Sequence, residues 1–403
     1  MKNIILLTVD TLRKDSLGIY NDKENLTPFL DSLMNHSLVF TRFHSSGPYT
    51  QASFPGILTS SYYLEYGRPQ KLSPRRVVIS EALQKANITT AAFHSNPYLS
   101  DYFGWNRGWD VFYDSMQDEV SDMIPYVRGD QINQKVKSWL DRYIQTDSRK
   151  PFFLWTHYMD VHEPYVPKKQ YLQLVDSSIS MSEQEMFDLF KNTLLKRDTS
   201  NPQLVHLLHK LYRAGVRETD DYIKDFFNIL QQNQVLENSI IIFTTDHGDE
   251  FGEHKGLSHD GKFYSELVDS PFMIIDFDQN QKKTCHNLVS NLDIAPTILH
   301  LFDIPPEEKF EGQSLLPIDR YQERGVFGEA IGKTGSHEKP TDLPVYYYRE
   351  NNIKIIYYQD QERWEIYDLE LDPAEQNNLI HSYPRAGELK EKLLPRVNRW
   401  ENR

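Results

Sequence analysis

The densest set of residues that could do chemistry lies in one glycine-rich segment, TTDHGDEFGEHKGLSHDG. Asp246 and His247 come directly after a predicted strand, and His254 and His259 follow within the same loop. Carboxylate oxygen and imidazole nitrogen together suit zinc or manganese, and glycines let the backbone bend closely around an ion. A solvated turn would explain an isolated Asp-His pair, but three histidines beside an Asp at a strand end favour an active-site wall.

A second histidine cluster follows another apolar run, in FFLWTHYMDVHEPY. One of its histidines could bind a phosphoryl oxygen, protonate a leaving group near neutral pH, or complete a second metal site. We favour His162 because it lies in the predicted loop. His157, closest to the strand, and Asp160 fit a hydrogen-bonded structural role as well as they fit a ligand role.

A third segment, GPYTQASFPGILTS, carries hydroxyl groups at Thr50, Ser53 and Thr59. A hydroxyl is a poor nucleophile alone, but at a helix N-terminus and beside a metal ion it can be deprotonated and attack phosphorus. An ordinary Ser/Thr helix cap explains the same residues. Spacing alone therefore does not select Thr50.

Apolar runs that alternate with amphipathic segments predict the elements that must position these groups. Predicted strands are Ile4–Val9, Thr89–Phe93, Phe152–Thr156, Ser239–Thr245 and Pro271–Ile275, and predicted helices are Thr27–Leu38, Val78–Ala86, Asp130–Tyr143 and Gln203–Gln231. This alternation predicts an α/β protein with a mostly parallel sheet flanked by helices. Because such sheets bind ligands at the carboxyl ends of strands, Asp10, the 157–162 segment and Asp246 should converge.

The pattern changes beyond about residue 325. Short predicted strands at Val345–Arg349, Ile353–Gln359 and Trp364–Asp368 precede a predicted helix at Ala386–Trp400. We therefore expect a catalytic domain over residues 1–325 and a small α+β subdomain over residues 326–403. Residues 166–200 form a polar, helix-prone insertion that could shape a substrate pocket.

Charge and cysteine content exclude some classes of binding partner and metal site. The 403-residue chain has a formal net charge of -14, which would repel a nucleic-acid backbone. Its one cysteine, Cys285, rules out an intramolecular disulfide and a cysteine-rich zinc site, and it fits a reducing compartment.

Membrane segments are not predicted either. The apolar run of MKNIILLTVD meets Asp10 after a few residues, so it fits a buried strand better than a signal peptide. No apolar stretch approaches the ~18 residues of a membrane span. The cytoplasm is the expected location.

Ordered motifs along nearly the whole chain resemble those of the alkaline phosphatase/sulfatase superfamily. They are IILLTVDTLRKDSLGIYN, TTAAFHSNPYLS, GWDVFYD, PFFLWTHYMDVHEPY, TTDHGDEFGEH, SNLDIAPTILHLFDI, FEGQSLLPI and the C-terminal IYDLELDPAEQNNL. The resemblance implies an alkaline-phosphatase-like fold and a metal-dependent enzyme.

The maturation motif of sulfatases is absent. Sulfatases convert a cysteine or serine at the head of CxPSR to formylglycine, and TQASFPGILTS stands in the corresponding place. Aligning Thr59 with the threonine that ends the family motif puts Thr50 at the nucleophile position, with Ala52 and Phe54 at the proline and arginine positions. Cys285 lies too far along the chain to replace the missing cysteine.

An unmodified threonine resembles the nucleophile of phosphoethanolamine transferases and nucleotide pyrophosphatase/phosphodiesterases in the same superfamily. By position, the resemblance implies that Asp10, Thr50, Asp246 and His247 bind the primary metal and that Thr50 attacks. His162 and His259 resemble family residues that contact a substrate oxygen or a second metal and have catalytic roles. Asn96 resembles only a loosely placed substrate contact.

Thr11 stands where the family usually has a second Asp, which disfavours a calcium-type sulfatase site. Asp15, Asp249 and His254 fit structural roles at least as well as functional ones.

The sequence thus predicts a phosphodiesterase, phosphonate-ester hydrolase or phosphotransferase that acts on a small or medium-sized anionic ester through an intermediate on Thr50. We expect one or two divalent ions, with zinc or manganese favoured and calcium or magnesium as alternatives. The alternative function is a sulfatase without formylglycine, and an inactive binding protein on the same fold is a third reading. Leaving group and oligomeric state stay open.

Overall fold

Fourteen strands lie in the described part of the chain. The computed structural model describes residues 1–67, 71–116, 118–147, 150–332 and 342–401. The strands are β1 Asn3–Val9, β2 Ser37–His44, β3 Thr89–Phe93, β4 Val111–Tyr113, β5 Phe152–Tyr158, β6 Ser239–Thr245, β7 Glu250–Phe251, β8 Leu257–Ser258, β9 Phe272–Asp276, β10 Lys283–Ser290, β11 Val326–Ile331, β12 Pro344–Glu350, β13 Ile353–Tyr358 and β14 Arg363–Asp368.

Ten α-helices accompany them in the same ranges. They are α1 Pro28–Ser32, α2 Thr50–Thr59, α3 Ile79–Lys85, α4 Gly129–Asp147, α5 Lys169–Val175, α6 Glu183–Leu189, α7 Pro202–Gln232, α8 Ser265–Val268, α9 Ile294–Leu301 and α10 Ala386–Glu401. None of the described helices is both long and apolar enough to cross a bilayer.

The central sheet has eight strands in the order β10-β2-β9-β6-β1-β5-β3-β4. Strand β9 runs antiparallel to both of its neighbours, and the other pairs are parallel. The predicted α/β class and mostly parallel sheet are therefore confirmed. Every residue of β1 is buried because β5 and β6 flank it and helices cover both faces.

Side chains of β1 alternate between two cores, as period-2 geometry requires. Ile4 and Leu6 pack in the core that includes residues of α2, α3 and α9. Ile5 and Leu7 pack in the core that includes residues of α4 and α7. Since β1, β2, β3, β5 and β6 all point the same way, their carboxyl ends share one edge of the sheet.

One predicted element is wrong. The helix expected at Thr27–Leu38 ends at Ser32, a 3-10 turn spans Leu33–His36, and β2 begins at Ser37. Pairing explains the difference, since β2 bonds to β9 on one side and β10 on the other, and these long-range partners override local helix propensity.

A second, antiparallel sheet follows near the C-terminus, in the order β11-β12-β13-β14. Helix α10 packs on one face through Leu389, Leu393 and Val397. The opposite face meets the main unit around Tyr49 and Phe263. The small α+β unit is thus confirmed, and the domain boundary at residue 325 stays a prediction.

Candidate active site

Asp10 lies at the centre of the candidate site. Its N–H continues the β1 ladder by donating to Tyr158 O at 2.8 Å, so the carboxylate leaves the strand in a fixed direction. Oδ2 accepts a 2.7 Å hydrogen bond from Asn96 Nδ2 and lies 3.3 Å from His157 Nε2. Oδ1 is buried with no hydrogen-bond partner.

The turn after Asp10 is strained. Thr11 has a φ of 57°, in the left-handed region that β-branched residues rarely adopt. Two contacts hold it there: its N–H lies 3.3 Å from Asp246 Oδ1, and its carbonyl accepts from Tyr212 Oη at 2.9 Å. The strained turn thereby ties the end of β1 to the end of β6.

His247 presents a lone pair to the centre of the site. Its Nδ1 is 3.0 Å from Gly248 O, a carbonyl that can only accept, so the proton is assigned to Nδ1. Nε2 then faces three electron-rich atoms: Asp10 Oδ1 at 3.5 Å, Asp246 Oδ2 at 3.4 Å and Thr50 Oγ1 at 3.5 Å. Four electron-rich atoms therefore converge, and Nε2 brings no proton of its own to either carboxylate.

This arrangement fits a divalent cation. Ligand atoms at tetrahedral positions with bonds of about 2.1 Å lie about 3.4 Å apart, which is close to the three distances from His247 Nε2. Asp246 Oδ2, like Asp10 Oδ1, is buried without a hydrogen-bond partner. Burial, and then the charge of Asp10, raise the pKa of Asp246 above its usual value. A bound cation would relieve both the repulsion and the missing hydrogen bonds.

The imidazoles act on Asp10 in the opposite direction. Burial alone would raise the pKa of Asp10, but the neighbouring His162, His157 and His247 outweigh burial and hold the pKa below its usual value. Asp10 is therefore the carboxylate that stays ionised in the pair.

Thr50 reaches the site as the first residue of α2. Its hydroxyl donates toward Asp10 Oδ2 at 3.5 Å and accepts from Asn96 Nδ2 at 3.3 Å. One turn later, Ser53 Oγ donates to Asp246 O at 2.8 Å, which docks the helix on the end of β6. The hydroxyl thus lies among the predicted ligand atoms at a helix N-terminus, where the dipole favours negative charge.

His259 forms a second wall of the site. Its Nδ1 lies 2.7 Å from Asp249 Oδ1, and Tyr165 Oη donates to the other oxygen of that carboxylate at 2.6 Å. The imidazole ring of His259 is 4.5 Å from that of His247, centroid to centroid. Burial, then the imidazoles of His247 and His162, lower the pKa of His259 well below its usual value. The ring is therefore neutral, with Nε2 as its free nitrogen.

His162 completes the same wall from the loop after β5. Its ring lies 5.3 Å from that of His259, and its Nδ1 is 2.6 Å from Glu163 O. Burial disfavours the imidazolium, but the carboxylates of Asp10, Glu163 and Asp249 outweigh burial and raise the pKa of His162. Of these two facing histidines, His162 therefore favours the charged imidazolium and His259 the neutral ring.

Other acidic and imidazole groups of the sequence lie in the scaffold. Asp160 Oδ2 accepts from Gly129 N at 2.8 Å and so caps α4. His254 Nδ1 pairs with Glu266 at 2.6 Å. Asp15 pairs with Arg13.

Two contacts were not predictable from the sequence motifs. His157 lies within β5 rather than after it, and its Nδ1 is 2.9 Å from Thr8 Oγ1 while its Nε2 faces Asp10. Asp249, which fitted a structural role at least as well as a functional one, groups with His247 and His259 in a second set of ligand-type atoms within 4.8 Å of one another. The signal for His157 is strand register, because β1 and β5 pair Thr8 with His157.

Comparisons with known proteins agree with the fold. The family model described as Sulfatase matches residues 2–304, and the one described as N-sulphoglucosamine sulphohydrolase, C-terminal, matches residues 252–403. The chain is 24% identical over 424 residues to an uncharacterized sulfatase of Escherichia coli K12, covering 94% of this chain and 83% of that protein.

Two solved structures share the fold. One is a protein in complex with its substrate D-glucosamine-2-N,6-O-disulfate, with a TM-score of 0.79, 19% identity, and coverage of 100% of this chain and 98% of that chain. The other is a phosphonate monoester hydrolase of Agrobacterium radiobacter, with a TM-score of 0.75, 16% identity, and coverage of 100% and 96%. Because the family model spans most of the chain, this protein belongs to the sulfatase family, on the fold of the alkaline phosphatase/sulfatase superfamily.

Proposed function

We propose that this sulfatase-family hydrolase acts on phosphate-type esters, as a phosphodiesterase, phosphonate-ester hydrolase or phosphotransferase, through a covalent intermediate on Thr50. One observation carries the proposal. Thr50 Oγ1 lies 3.5 Å from both Asp10 Oδ2 and His247 Nε2, at the start of α2, although 40 and 197 residues separate it from those partners. A plain helix cap would not need ligand-type atoms on two sides.

Four residues would hold the primary metal: Asp10, Thr50, Asp246 and His247. Imidazole in the set favours zinc or manganese over calcium or magnesium. When bound, a divalent ion lowers the pKa of a coordinated hydroxyl and neutralises negative charge on the transferred group. Asp249 and His259, beside His247, are the residues that would face a second ion.

The side chains then divide the reaction into two displacements. In the first, Thr50 Oγ, as the alkoxide that a bound ion would favour, forms a bond to phosphorus as the bond from phosphorus to the leaving oxygen breaks. Asn96, which donates to both Asp10 and Thr50, keeps the hydroxyl pointed at the substrate. In the second, water or an alcohol attacks phosphorus, and the bond to Thr50 breaks.

His162 is the residue we assign to proton transfer. Its raised pKa favours the imidazolium, so it can donate a proton to the leaving oxygen and regain one from the second acceptor. His259 stays neutral and is held by Asp249, which suits a fixed contact to a substrate oxygen or a second ion. An anionic ester of small or medium size fits this set of donors.

Sulfuric ester hydrolysis is the second candidate. The matching family model and the curated relative carry the sulfatase name, which favours it. Against it stands the nucleophile position, where Thr50 replaces the cysteine or serine that formylglycine formation requires. The phosphonate monoester hydrolase among the fold neighbours is compatible with the phosphorus reading.

Replacing Thr50 with Ala tests the proposal. Thr50→Ala removes the nucleophile and one of several ligands, so turnover of aryl phosphate diesters should fall by several orders of magnitude with the fold intact. The matched control is Thr59→Ala, at the other end of α2, whose hydroxyl only bonds to Pro55 O and Ser61 Oγ. That control should keep nearly full turnover. Assays use both aryl phosphate diesters and aryl sulfates.

Intact mass provides a second readout. Wild-type protein quenched during turnover should carry a phosphoryl-type adduct that maps to Thr50, and Thr50→Ala should not. Near wild-type turnover by Thr50→Ala would contradict the mechanism. Turnover of aryl sulfates alone would favour the sulfatase reading.

A further inference from the structure

Arg197, from the insertion at residues 166–200, reaches the loop that carries His259. Its Nη1 donates to Leu257 O, and its Nη2 donates to His259 O at 3.2 Å. Asp260 Oδ1 lies 3.8 Å from the same guanidinium. One planar side chain therefore holds two carbonyls of this loop, on either side of Ser258.

The loop needs such an anchor at this point. Ser258, between the two carbonyls, has a φ of 61°, in the left-handed region where a non-glycine residue is unfavourable. The Asp249 carboxylate fixes the ring of His259 but leaves the backbone of residues 257–260 to other contacts. The position of the His259 ring therefore depends both on Asp249 and on the contacts that hold this backbone.

Arg197 is itself firmly placed. Its N–H donates to Leu194 O at 2.8 Å, and Leu194 is fully buried. A π-helical turn, Phe190–Leu194, precedes it, and Asn201 caps α7 shortly after it. The backbone of Arg197 thus lies between a buried turn and a long helix that packs on the central sheet.

We propose that Arg197 is a positioning residue for His259, through which the insertion sets the geometry of the substrate-binding wall. Arg197 does not touch the reacting atoms; it acts by fixing the backbone from which His259 projects. The inference rests on the proposed role of His259 in binding substrate oxygen or a second ion. It gives the insertion a defined task in catalysis.

A double-mutant cycle tests the assignment. Arg197→Gln should lower kcat/KM for an aryl phosphate diester by roughly 10–100-fold, the range seen when a residue supporting a ligand is lost. Arg197→Lys, with one point charge instead of a fork, should recover part of the loss. In a His259→Ala background, adding Arg197→Gln should cost less than about 3-fold, because coupled residues are not additive.

The matched control is Arg213→Gln. Arg213 has nearly the same side-chain exposure, 28% against 27%, but pairs with Glu24 instead of the loop. Amide hydrogen exchange gives a readout that does not depend on substrate: exchange over residues 256–260 should rise in Arg197→Gln and not in Arg213→Gln.

Three results would overturn the proposal. Unchanged exchange in Arg197→Gln would mean that the contact does not order the loop. Equal losses of kcat/KM with and without His259 would mean a general structural role. A fully active His259→Ala beside an impaired Arg197→Gln would mean that Arg197 acts elsewhere. Failure of the proposed chemistry is detected separately, by an active Thr50→Ala, and leaves the exchange readout intact.

Discussion

Single residues decide the chemistry of this site, and the tautomer of His247 is the clearest case. A hydrogen bond to Gly248 O places the proton on Nδ1 and turns the Nε2 lone pair toward two orphaned carboxylate oxygens. The same bond lets a histidine serve as a ligand here without adding a donor to the cluster.

Metal removal should therefore abolish activity. We expect chelation to inactivate the enzyme and zinc or manganese to restore activity better than calcium, because an imidazole ligand favours those ions. His247→Ala should lose bound metal, measured by elemental analysis, while Thr59→Ala retains it. Reactivation by calcium alone would contradict the assignment and revive the calcium-type sulfatase site.

The raised pKa of buried Asp160 predicts that the stability of the folded protein depends on pH. Burial, then the charge of Glu218, raise its pKa in the folded protein to about 8, against about 3.9 when unfolded. The folded state thus binds the extra proton, so this stabilisation is complete below about pH 4 and is lost as pH rises to about 8. Asp160→Asn keeps the acceptor for Gly129 N and removes the titration.

Urea unfolding at pH 5 and pH 8.5 measures this effect. The free energy of unfolding of Asp160→Asn should fall less between the two pH values than that of wild type, by on the order of 1–3 kcal/mol. Asp141→Asn, at a partly exposed residue of α4 that pairs with Lys137, serves as control and should follow wild type. Parallel curves for wild type and Asp160→Asn would refute the assignment.

The types and order of the residues predicted which side chains lie together in the site, but not which hydrogen bonds they make there. Asp10, Thr50, Asp246 and His247 come together as expected because they end parallel strands or begin the next helix. Asn96, expected only as a loose contact, instead donates to both Asp10 and Thr50. Such a bond depends on how far β3 lies from β1, which no local pattern encodes.

At the scale of elements, α2 shows how closely a helix must pack to deliver its first residue. A Cβ on Gly56 would lie 2.7 Å from Ser46 Oγ and 2.8 Å from Asn291 Oδ1. Asn291 belongs to the network that holds the segment before Thr50, since its Oδ1 accepts from the backbone N–H of Ser46 at 3.1 Å. Glycine is therefore needed at position 56 because a side chain would not fit, and not because of its backbone angles.

Gly56→Ala should accordingly displace α2. We expect a loss of about 1–3 kcal/mol in the free energy of unfolding from overpacking, and roughly 100-fold lower turnover because Thr50 moves with the helix. Gly387→Ala in α10, where nothing lies within 4 Å of the added Cβ, should instead stabilise by about 0.5–1 kcal/mol. Unfolding curves and kinetics of the two variants decide the matter; equal behaviour would refute the packing argument.

Elements with a clear apolar period were predictable, and those defined by partners were not. β3 has the predicted bounds, Thr89–Phe93, and α7 runs one residue beyond the prediction at each end. By contrast, β2 and β10 were not predicted as strands. Burial along each of these strands does not alternate regularly, and several residues of β10 are exposed, so no apolar period marks them in the sequence. They are recognisable as strands from their pairing in the sheet.

Across the whole molecule, a buried ion pair of the C-terminal unit bonds to residues 263 and 265, just after the His259 loop. Lys354 on β13 and Glu375, in the loop after β14, meet at 2.8 Å with side chains 0% and 1% exposed. The lysine also donates to Phe263 O at 3.0 Å, and the glutamate accepts from Ser265 N at 2.6 Å. The C-terminal unit thereby supports the active-site loop from outside.

Breaking one side of this pair should cost more than removing both. Lys354→Met leaves Glu375 buried without its cation and should lower the free energy of unfolding by roughly 3–5 kcal/mol. Adding Glu375→Gln removes the stranded charge and should restore much of that loss. Chemical denaturation of both variants measures the difference. A Lys354→Met protein as stable as wild type would show that the pair does not join the two units.

The position of β1 in the middle of the sheet has a consequence for biosynthesis. Its neighbours come late in the chain, with 236 residues between Val9 and Thr245 on β6. At about 5–20 residues per second, translation needs about 10–50 s to supply that partner. Until β5 is made, the apolar run of β1 has neither of its neighbours, and for the rest of this interval it has only β5. The nascent chain should therefore depend on chaperone protection of its first strand, and slow translation should increase its aggregation.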